Sequence, residues 1–191
     1  MEPLKHDITD EAQLLRQIRR GSSSSMKTLY ASLVRYLAAI CSRYISNPED
    51  VKDVLQDSFL KIFDGIRNFE YRGDGSLKAW AARITLNESL AFLKRGDKLR
   101  FIDNEATISD VPDDEPDTGT IPAEIIYGLI RSLPDGYRTI FNLYVIEGKS
   151  HREIAAMLGI KENSSASQFH RAKALMAAKI REYQNNNTSN L

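Results

Sequence analysis

This chain of 191 residues has little of what membrane proteins, disulfide-stabilised proteins and metalloproteins need. Its apolar runs are only a few residues long, far short of the roughly 20 residues of a membrane-spanning helix. It has one cysteine, so no internal disulfide can form, and its three histidines are scattered without metal-ligand spacing. We therefore expect no membrane insertion, no metal and no cofactor.

Two further absences limit the function classes. No glycine-rich nucleotide-binding loop is present, and the only cluster of carboxylates lies in a stretch unlike a catalytic site. The first ten residues carry acids and no apolar core of a secretory signal. We expect a cytoplasmic protein that is not an enzyme. Cys41 lies at a core-facing helical position between Ile40 and Tyr44, which favours a buried, inert thiol over a redox sensor.

The net charge of zero conceals an uneven distribution. Residues 1–100 hold 17 basic and 13 acidic residues, and residues 121–191 hold nine and six. Residues 101–120 hold seven acidic residues and no basic one. Two mildly basic blocks are therefore separated by one acidic stretch, and mildly basic blocks are compatible with nucleic-acid binding.

The acidic stretch also contains Pro112, Pro116 and Gly119 and shows no sustained periodicity. It is typical of a flexible linker extended by self-repulsion. An ordered acidic loop is the alternative, because Ile102, Ile108 and Val111 could dock locally. We predict a helical domain at 1–98, a linker at 99–120, a second helical domain at 121–182 and a disordered Asn-rich tail at 183–191.

Both blocks show helical periodicity, and no segment alternates as a strand would. In the first block, apolar stripes mark four helices, which are separated near Gly21, at Asn47-Pro48 and by a loop at 69–76. Trp80 has the spacing of a core residue with Leu77 and Ile84, which favours the core over a role as a wedge that opens DNA. The fold class is thus all-α, with two small helical domains joined by a flexible acidic linker.

The strongest local signal is a helix-turn-helix within residues 134–180. Ser150 followed three residues later by Glu153 is a capping box, which starts a helix. Gly159 allows the left-handed backbone that ends this helix, and Ile160 fills the gap before the next one. The second helix is predicted to begin near Asn163 or Ser164.

The outward face of that second helix has the composition of a DNA-contacting surface. Small hydroxyls and an amide can approach base edges, and basic side chains suit phosphates. The alternative is an ordinary helical hairpin with a solvated polar face. The residues predicted to contact DNA are Arg152, Ser164, Ser165, Ser167, Gln168, Arg171 and Lys173.

Several segments together resemble a bacterial RNA polymerase sigma factor of the extracytoplasmic-function (ECF) group. The resemblance covers about residues 10–95 and 121–182. It rests on DVLQDSF at 53–59, WAARITLN at 80–87, LPDGYR at 133–138, IEGKS at 146–150 and EIA at 153–155. Each motif alone is modest, but their order and separation are specific.

The resemblance implies that the first block is a region-2-like four-helix bundle that binds core polymerase and the −10 element. The second block would be a region-4-like domain on the −35 element, and the linker would cross the polymerase active-site channel. An anti-sigma factor is the further partner implied. The residues that match polymerase-binding positions are Asp53, Gln56, Asp57 and Phe59. Those assigned to the −10 element are Tyr71, Arg72, Asp74, Ser76, Lys78, Arg83, Asn87, Lys94 and Arg95.

One departure from the family pattern and one rival function remain. Ala166 stands where a lysine frequently occurs on the recognition helix, so shape and phosphate contacts are expected to contribute much of the −35 interaction. The rival is a dimeric repressor or activator, which would bind a palindromic duplex without polymerase.

Overall fold

The structure is a computed structural model, and it describes residues 10–96, 99, 119 and 121–188. Over these ranges the chain forms helices and no strand, which confirms the predicted all-α fold. It divides into two compact units, Met1–Phe92 and Leu93–Leu191. Nearly all of the predicted acidic linker, residues 100–118 and 120, lies outside the described residues. No helix in the described part of the chain is long and apolar enough to cross a lipid bilayer.

Four helices make up the first unit and its boundary with the second. They are α1 (Glu11–Arg19), α2 (Ser23–Tyr44), α3 (Pro48–Gly65) and α4 (Ser76–Arg95), with a short 3₁₀ turn at Ile66–Asn68 after α3. Local sequence sets where the helices begin. The Asn47 side chain accepts the Glu49 N–H at 2.8 Å, and Pro48 occupies the first position of α3, where its missing N–H costs nothing.

The core of the first unit is apolar and mostly aliphatic. The side chains that are at most 4% exposed include Leu15, Ile18, Leu29, Leu33, Leu37, Ile40, Val54, Phe59, Ile62, Ile66 and Leu77. Cys41 is fully buried among them, which confirms the predicted buried thiol. Burial raises the pKa of this thiol, although a hydrogen bond with Ser89 acts in the opposite direction. The neutral thiol is a poor nucleophile, as expected for an inert core cysteine.

The second unit contains α5 (Ala123–Arg131), α6 (Asp135–Phe141), α7 (His151–Leu158) and α8 (Glu162–Thr188), with one π-helical turn at Asn142–Ile146 after α6. Ile130, Met176 and Ile180 form one buried cluster between α5 and α8. The helix α8 differs from expectation at its end. It continues to Thr188, so the prediction of disorder from residue 183 is wrong for 183–188. A helix already stabilised by packing extends through residues of low intrinsic propensity.

Arg138 is a buried arginine at the junction of α5 and α6. Its side chain is 2% exposed and lies against the end of α5. Its guanidinium donates to the carbonyl oxygens of Arg131 at 3.1 Å and Leu133 at 3.0 Å, and to the Asp135 carboxylate at 2.5 Å. The last carbonyls of a helix have no partner within it, so Arg138 supplies donors where α5 needs them.

Replacing Arg138 by Met should destabilise the second unit by about 3 kcal/mol, because the Asp135 carboxylate and two carbonyl oxygens lose their donors. The measurement is urea unfolding of the full chain followed by circular dichroism. Arg131→Met removes an exposed guanidinium from the same helix end and should change the free energy of unfolding by less than about 0.5 kcal/mol. Equal effects of the two substitutions would contradict this account of Arg138.

Candidate nucleic-acid and polymerase surfaces

The helix-turn-helix forms as its sequence signals predict. The Glu153 side chain accepts the Ser150 N–H at 2.9 Å, and the Ser150 hydroxyl accepts the Glu153 N–H at 3.2 Å, which completes the capping box. Gly159 ends α7 with φ of 73°, in the left-handed region that favours glycine. Ile154 and Leu158 face the interior of the unit. The turn between α7 and α8 is therefore fixed by local chemistry at both ends of α7.

The exposed face of α8 differs in part from the predicted one. Ser165 is fully buried and Gln168 is 5% exposed, so the expectation that both face outward is wrong. The Ser165 hydroxyl lies 3.0 Å from Nδ1 of His151, a contact that joins α8 to α7. Within the described part of the chain, the buried Gln168 side-chain oxygen has no hydrogen-bond partner.

The spacing of residues along α8 explains this correction. The helix begins at Glu162, ahead of the predicted start at Asn163 or Ser164. Ser165 and Gln168 lie three residues apart and Ala172 four further on, so all three share the inner face. The side chains that the structure leaves exposed on α8 near the turn are Glu162, Asn163, Ala166, Ser167, His170 and Lys173.

The other predicted −35 residues fall into two groups. Arg152, Ser167 and Lys173 are exposed, while Ser164 and Arg171 are half-buried. Asn163 was missed in the sequence because the helix was expected to begin at it or after it. Its exposure at the start of α8 places an amide where base edges and phosphates are reached in helix-turn-helix proteins.

An aromatic cluster supports the start of α8. The ring of His151 stacks on Tyr144 with centroids 4.7 Å apart, and Tyr144 also packs on Phe169 at 4.2 Å. Tyr144, Val145 and Ile146 remain 40–50% exposed on the π-helical turn, which leaves an apolar patch on this unit. Patches of this kind mark contacts with other macromolecules.

In the first unit, a loop at 69–75 precedes α4 and carries several of the predicted −10 residues. Gly73 and Gly75 have φ of 109° and 83°, which side chains rarely adopt. The Tyr71 hydroxyl donates to the Asp74 carboxylate at 2.6 Å, and the Ser76 hydroxyl accepts the Arg72 N–H at 3.2 Å. The hydrogen bond to Asp74 is the largest cause that raises the pKa of Tyr71 to about 12. The ring of Tyr71 thus stays neutral and partly exposed.

The exposed face of α4 continues from this loop. Asn87 lies four residues after Arg83 and seven residues before Lys94, so the three side chains share one face of the helix. All three are exposed. Lys78 does not belong to this face. Its ammonium lies over the Tyr36 ring, 4.5 Å from the centroid.

The remaining predicted −10 residues are also placed by the structure. Arg95 is exposed at the end of α4, and Ser76 is half-buried at its start. Arg72 forms a surface ion pair with Glu70 at 3.2 Å. Trp80 packs on Phe69 with centroids 4.9 Å apart but is only half-buried, so it lies at the edge of the core and not within it.

A third surface lies on α3. Asp53, Gln56 and Asp57 are exposed, as predicted for residues that contact a partner. Phe59 is 4% exposed and packs on the Tyr30 ring at 4.5 Å, so it lies in the core beneath this surface and not on its exposed face. Leu60 was not among the residues predicted to contact polymerase. It is 61% exposed and lies seven residues after Asp53 on the same face of α3.

The structure thus describes an all-α protein with a capped helix-turn-helix in one unit, the architecture of helix-turn-helix DNA-binding proteins. Among the described residues, no group of three or more His, Cys, Asp or Glu side chains is arranged to hold a metal ion.

Comparison with known proteins identifies the family. The model of sigma-70 region 2 matches residues 29–99, and that of sigma-70 region 4 matches residues 123–176. The chain belongs to the sigma-70 family of RNA polymerase sigma factors and is of the ECF type.

Its relatives share this assignment. The chain is 26% identical over 189 residues to the ECF RNA polymerase sigma-E factor of Haemophilus influenzae, across 93% of this chain and 98% of that relative. It is 24% identical over 177 residues to the RNA polymerase sigma-H factor of Pseudomonas aeruginosa, across 85% and 90%. Among solved structures, the sigma factor RpoE of Bartonella quintana, in complex with the anti-sigma factor NepR, matches with 22% identity and a TM-score of 0.47. That match covers 81% of this chain and 96% of the other.

Glu153→Gln tests the capping box. Hydrogen bonds from the Ser150 backbone and hydroxyl lower the pKa of Glu153, and Lys149 adds to the effect. A carboxylate whose pKa falls on folding stabilises the folded state above its unfolded-state pKa, and that contribution is lost as pH falls through the folded-state pKa. We expect the variant to melt at a lower temperature than the wild type at pH 7. This difference in melting temperature should close as the pH falls below 4.5, the ordinary pKa of a glutamate side chain.

The control is Glu182→Gln, which removes the same charge from the exposed side of α8. Melting of the full chain is followed by circular dichroism across this pH range. A gap for Glu153→Gln that is as large at pH 3 as at pH 7 would contradict the proposed electrostatic contribution.

Proposed function

We propose that this protein binds core RNA polymerase and directs it to promoters, with the α4 face and the 69–75 loop at the −10 element and the α7–α8 unit at the −35 element. The observation that carries the proposal is the match of both units to sigma-70 regions 2 and 4 in the order of the chain. The protein has no catalysis of its own in this proposal; it acts in the cytoplasm, where polymerase and DNA are found.

The −10 surface combines polar readout with phosphate contact. Asn87 carries an amide, which can pair with a base edge, and Arg83 and Lys94 flank it on the same exposed face. Tyr71 offers a neutral, partly exposed ring at the tip of the loop, suited to stacking on an unpaired base. These groups together suit single-stranded DNA at the edge of a melted promoter segment.

The proposed −35 surface carries few positive charges. Arg152 and Lys173 are its exposed basic side chains on α7 and α8, while Asn163 and Ser167 supply small polar groups. With the exposed Lys161 of the turn between these helices, three basic side chains make few phosphate contacts, and the affinity of this unit alone for DNA is therefore expected to be low. Attachment to polymerase then raises the effective concentration of this unit at its site.

The α3 surface is the proposed polymerase contact. Asp53, Gln56 and Asp57 surround the exposed Leu60, which gives an apolar centre with a polar rim. The patch at 144–146 on the second unit is a further exposed apolar area. We propose that an anti-sigma factor regulates the protein by covering such faces, because a protein that covers them excludes polymerase.

Transcription with purified core polymerase tests the function directly. The full chain should produce promoter-dependent transcripts that core polymerase alone does not make. Asn87→Ala should lower initiation about tenfold, from the loss of one base contact that contributes about 1–3 kcal/mol. Arg35→Ala, which changes an exposed side chain of α2 in the same unit, should have little effect. Equal losses in the two variants would contradict the assignment of the α4 face.

Leu60→Ser tests the α3 surface. Removing an exposed apolar side chain from the centre of an interface should weaken core polymerase binding about tenfold or more and leave thermal stability unchanged. Arg67→Ala changes an exposed side chain just past the end of the same helix and serves as the control. Fluorescence anisotropy of the labelled full chain measures the affinity. Unchanged binding by Leu60→Ser would contradict the proposed contact.

A further inference from the structure

The first helix, α1, contacts both ends of the loop at 69–75. The Arg19 guanidinium donates to the carbonyl oxygen of Phe69, where the loop begins. The Leu77 N–H, just after the loop ends, donates to the Glu11 carboxylate at 3.3 Å. The two pairs are separated by 50 and 66 residues in the sequence, so one short helix holds both ends of a distant loop.

The contact at Leu77 meets a need that the loop cannot meet itself. The Gly75 carbonyl accepts the Ala79 N–H at 2.9 Å, which makes Gly75 the residue that precedes the first turn of α4. Glycine has no side chain to accept the unpaired N–H groups of that turn. Glu11 provides the acceptor from another helix, and its carboxylate is also stabilised by the positive end of the α4 dipole.

The contacts that α1 makes elsewhere hold it in place. Leu15 and Ile18 are at most 3% exposed, and the Ser25 hydroxyl of α2 donates to the Gln17 side chain at 2.7 Å. Glu11 is itself only 5% exposed. The loop, in contrast, contains two glycines with positive φ, and its own hydrogen bonds join residues near its tip to one another. A fixed helix therefore defines the ends of an otherwise adaptable loop.

We propose that α1 positions this loop for an unpaired base, with Glu11 and Arg19 as positioning residues that need not touch DNA. This inference rests on the proposed role of the loop at the −10 element. The helix precedes residue 29, where the match to sigma-70 region 2 begins, so it extends the −10 unit beyond the matched segment.

Two measurements on the full chain test the proposal. The first measurement is amide hydrogen exchange of the free protein, which reports how often the loop opens. Arg19→Ala and Glu11→Ala should each raise the exchange rate at residues 70–77 about tenfold, because each removes one charge-assisted hydrogen bond. Arg16→Ala removes an exposed arginine of the same helix and should leave exchange unchanged. Glu11→Gln keeps an acceptor oxygen and should restore part of the protection.

The second measurement is base-dependent DNA binding by the holoenzyme. The probe is the non-template strand of a promoter selected from a random library by transcription with the wild-type holoenzyme, with abasic sites placed one at a time. For the wild type, one position should show a loss of affinity when its base is removed. Arg19→Ala and Glu11→Ala should reduce that loss several-fold, while Arg16→Ala should not, and affinity for core polymerase should stay unchanged.

The outcomes separate this proposal from the proposed function. If the wild-type holoenzyme binds all abasic probes equally, the −10 role of the loop is wrong, and the inference falls with it. If the wild type discriminates and the two α1 variants do so equally well, only the positioning role is wrong. Unchanged hydrogen exchange at 70–77 in both variants also overturns it.

Discussion

Backbone groups at helix ends are the constraint on which both units depend. A helix leaves N–H groups at its start and carbonyl groups at its end without partners, and both units are built of helices. At the start of α4 the preceding residue is Gly75, so the Glu11 carboxylate supplies the acceptor. At the end of α5 the guanidinium of Arg138 supplies donors. Both charged side chains are at most 5% exposed, and each joins two helices of its unit.

The surfaces proposed to contact polymerase and DNA are chemically different, and each is expected to bind weakly by itself. The α4 face carries an amide between basic side chains, the start of α8 carries small polar groups, and α3 carries an apolar residue within acidic and amide neighbours. The −35 unit has little positive charge for strong nucleic-acid binding by itself. A protein of this kind gains affinity by joining several weak contacts through one large partner. That is the chemical logic of a sigma factor, which reaches DNA as part of polymerase.

Local chemistry determined how much could be predicted from sequence. The Ser150 capping box, the Gly159 turn and the buried Cys41 depend on near neighbours in the chain, and all three predictions are confirmed. Ser165 and Gln168 were expected to face outward because their side chains are polar, although Gln168 lies four residues before the buried Ala172 and so shares its face of the helix.

Long-range packing accounts for the rest. Phe59 was assigned to a partner surface by family position, but the Tyr30 ring of α2 covers it. Leu60 lies off the apolar stripe of α3, and this position was the sequence signal that could have identified it as an exposed apolar residue. The α1 contacts with the loop join residues at least 50 apart, a separation that no local pattern can reveal.

Footprinting a selected promoter with and without core polymerase tests whether the two surfaces proposed to bind DNA do so only as parts of polymerase. We expect protection of both the −10 and −35 elements with polymerase and of neither with the protein alone. Protection of a palindrome by the protein alone would contradict this expectation.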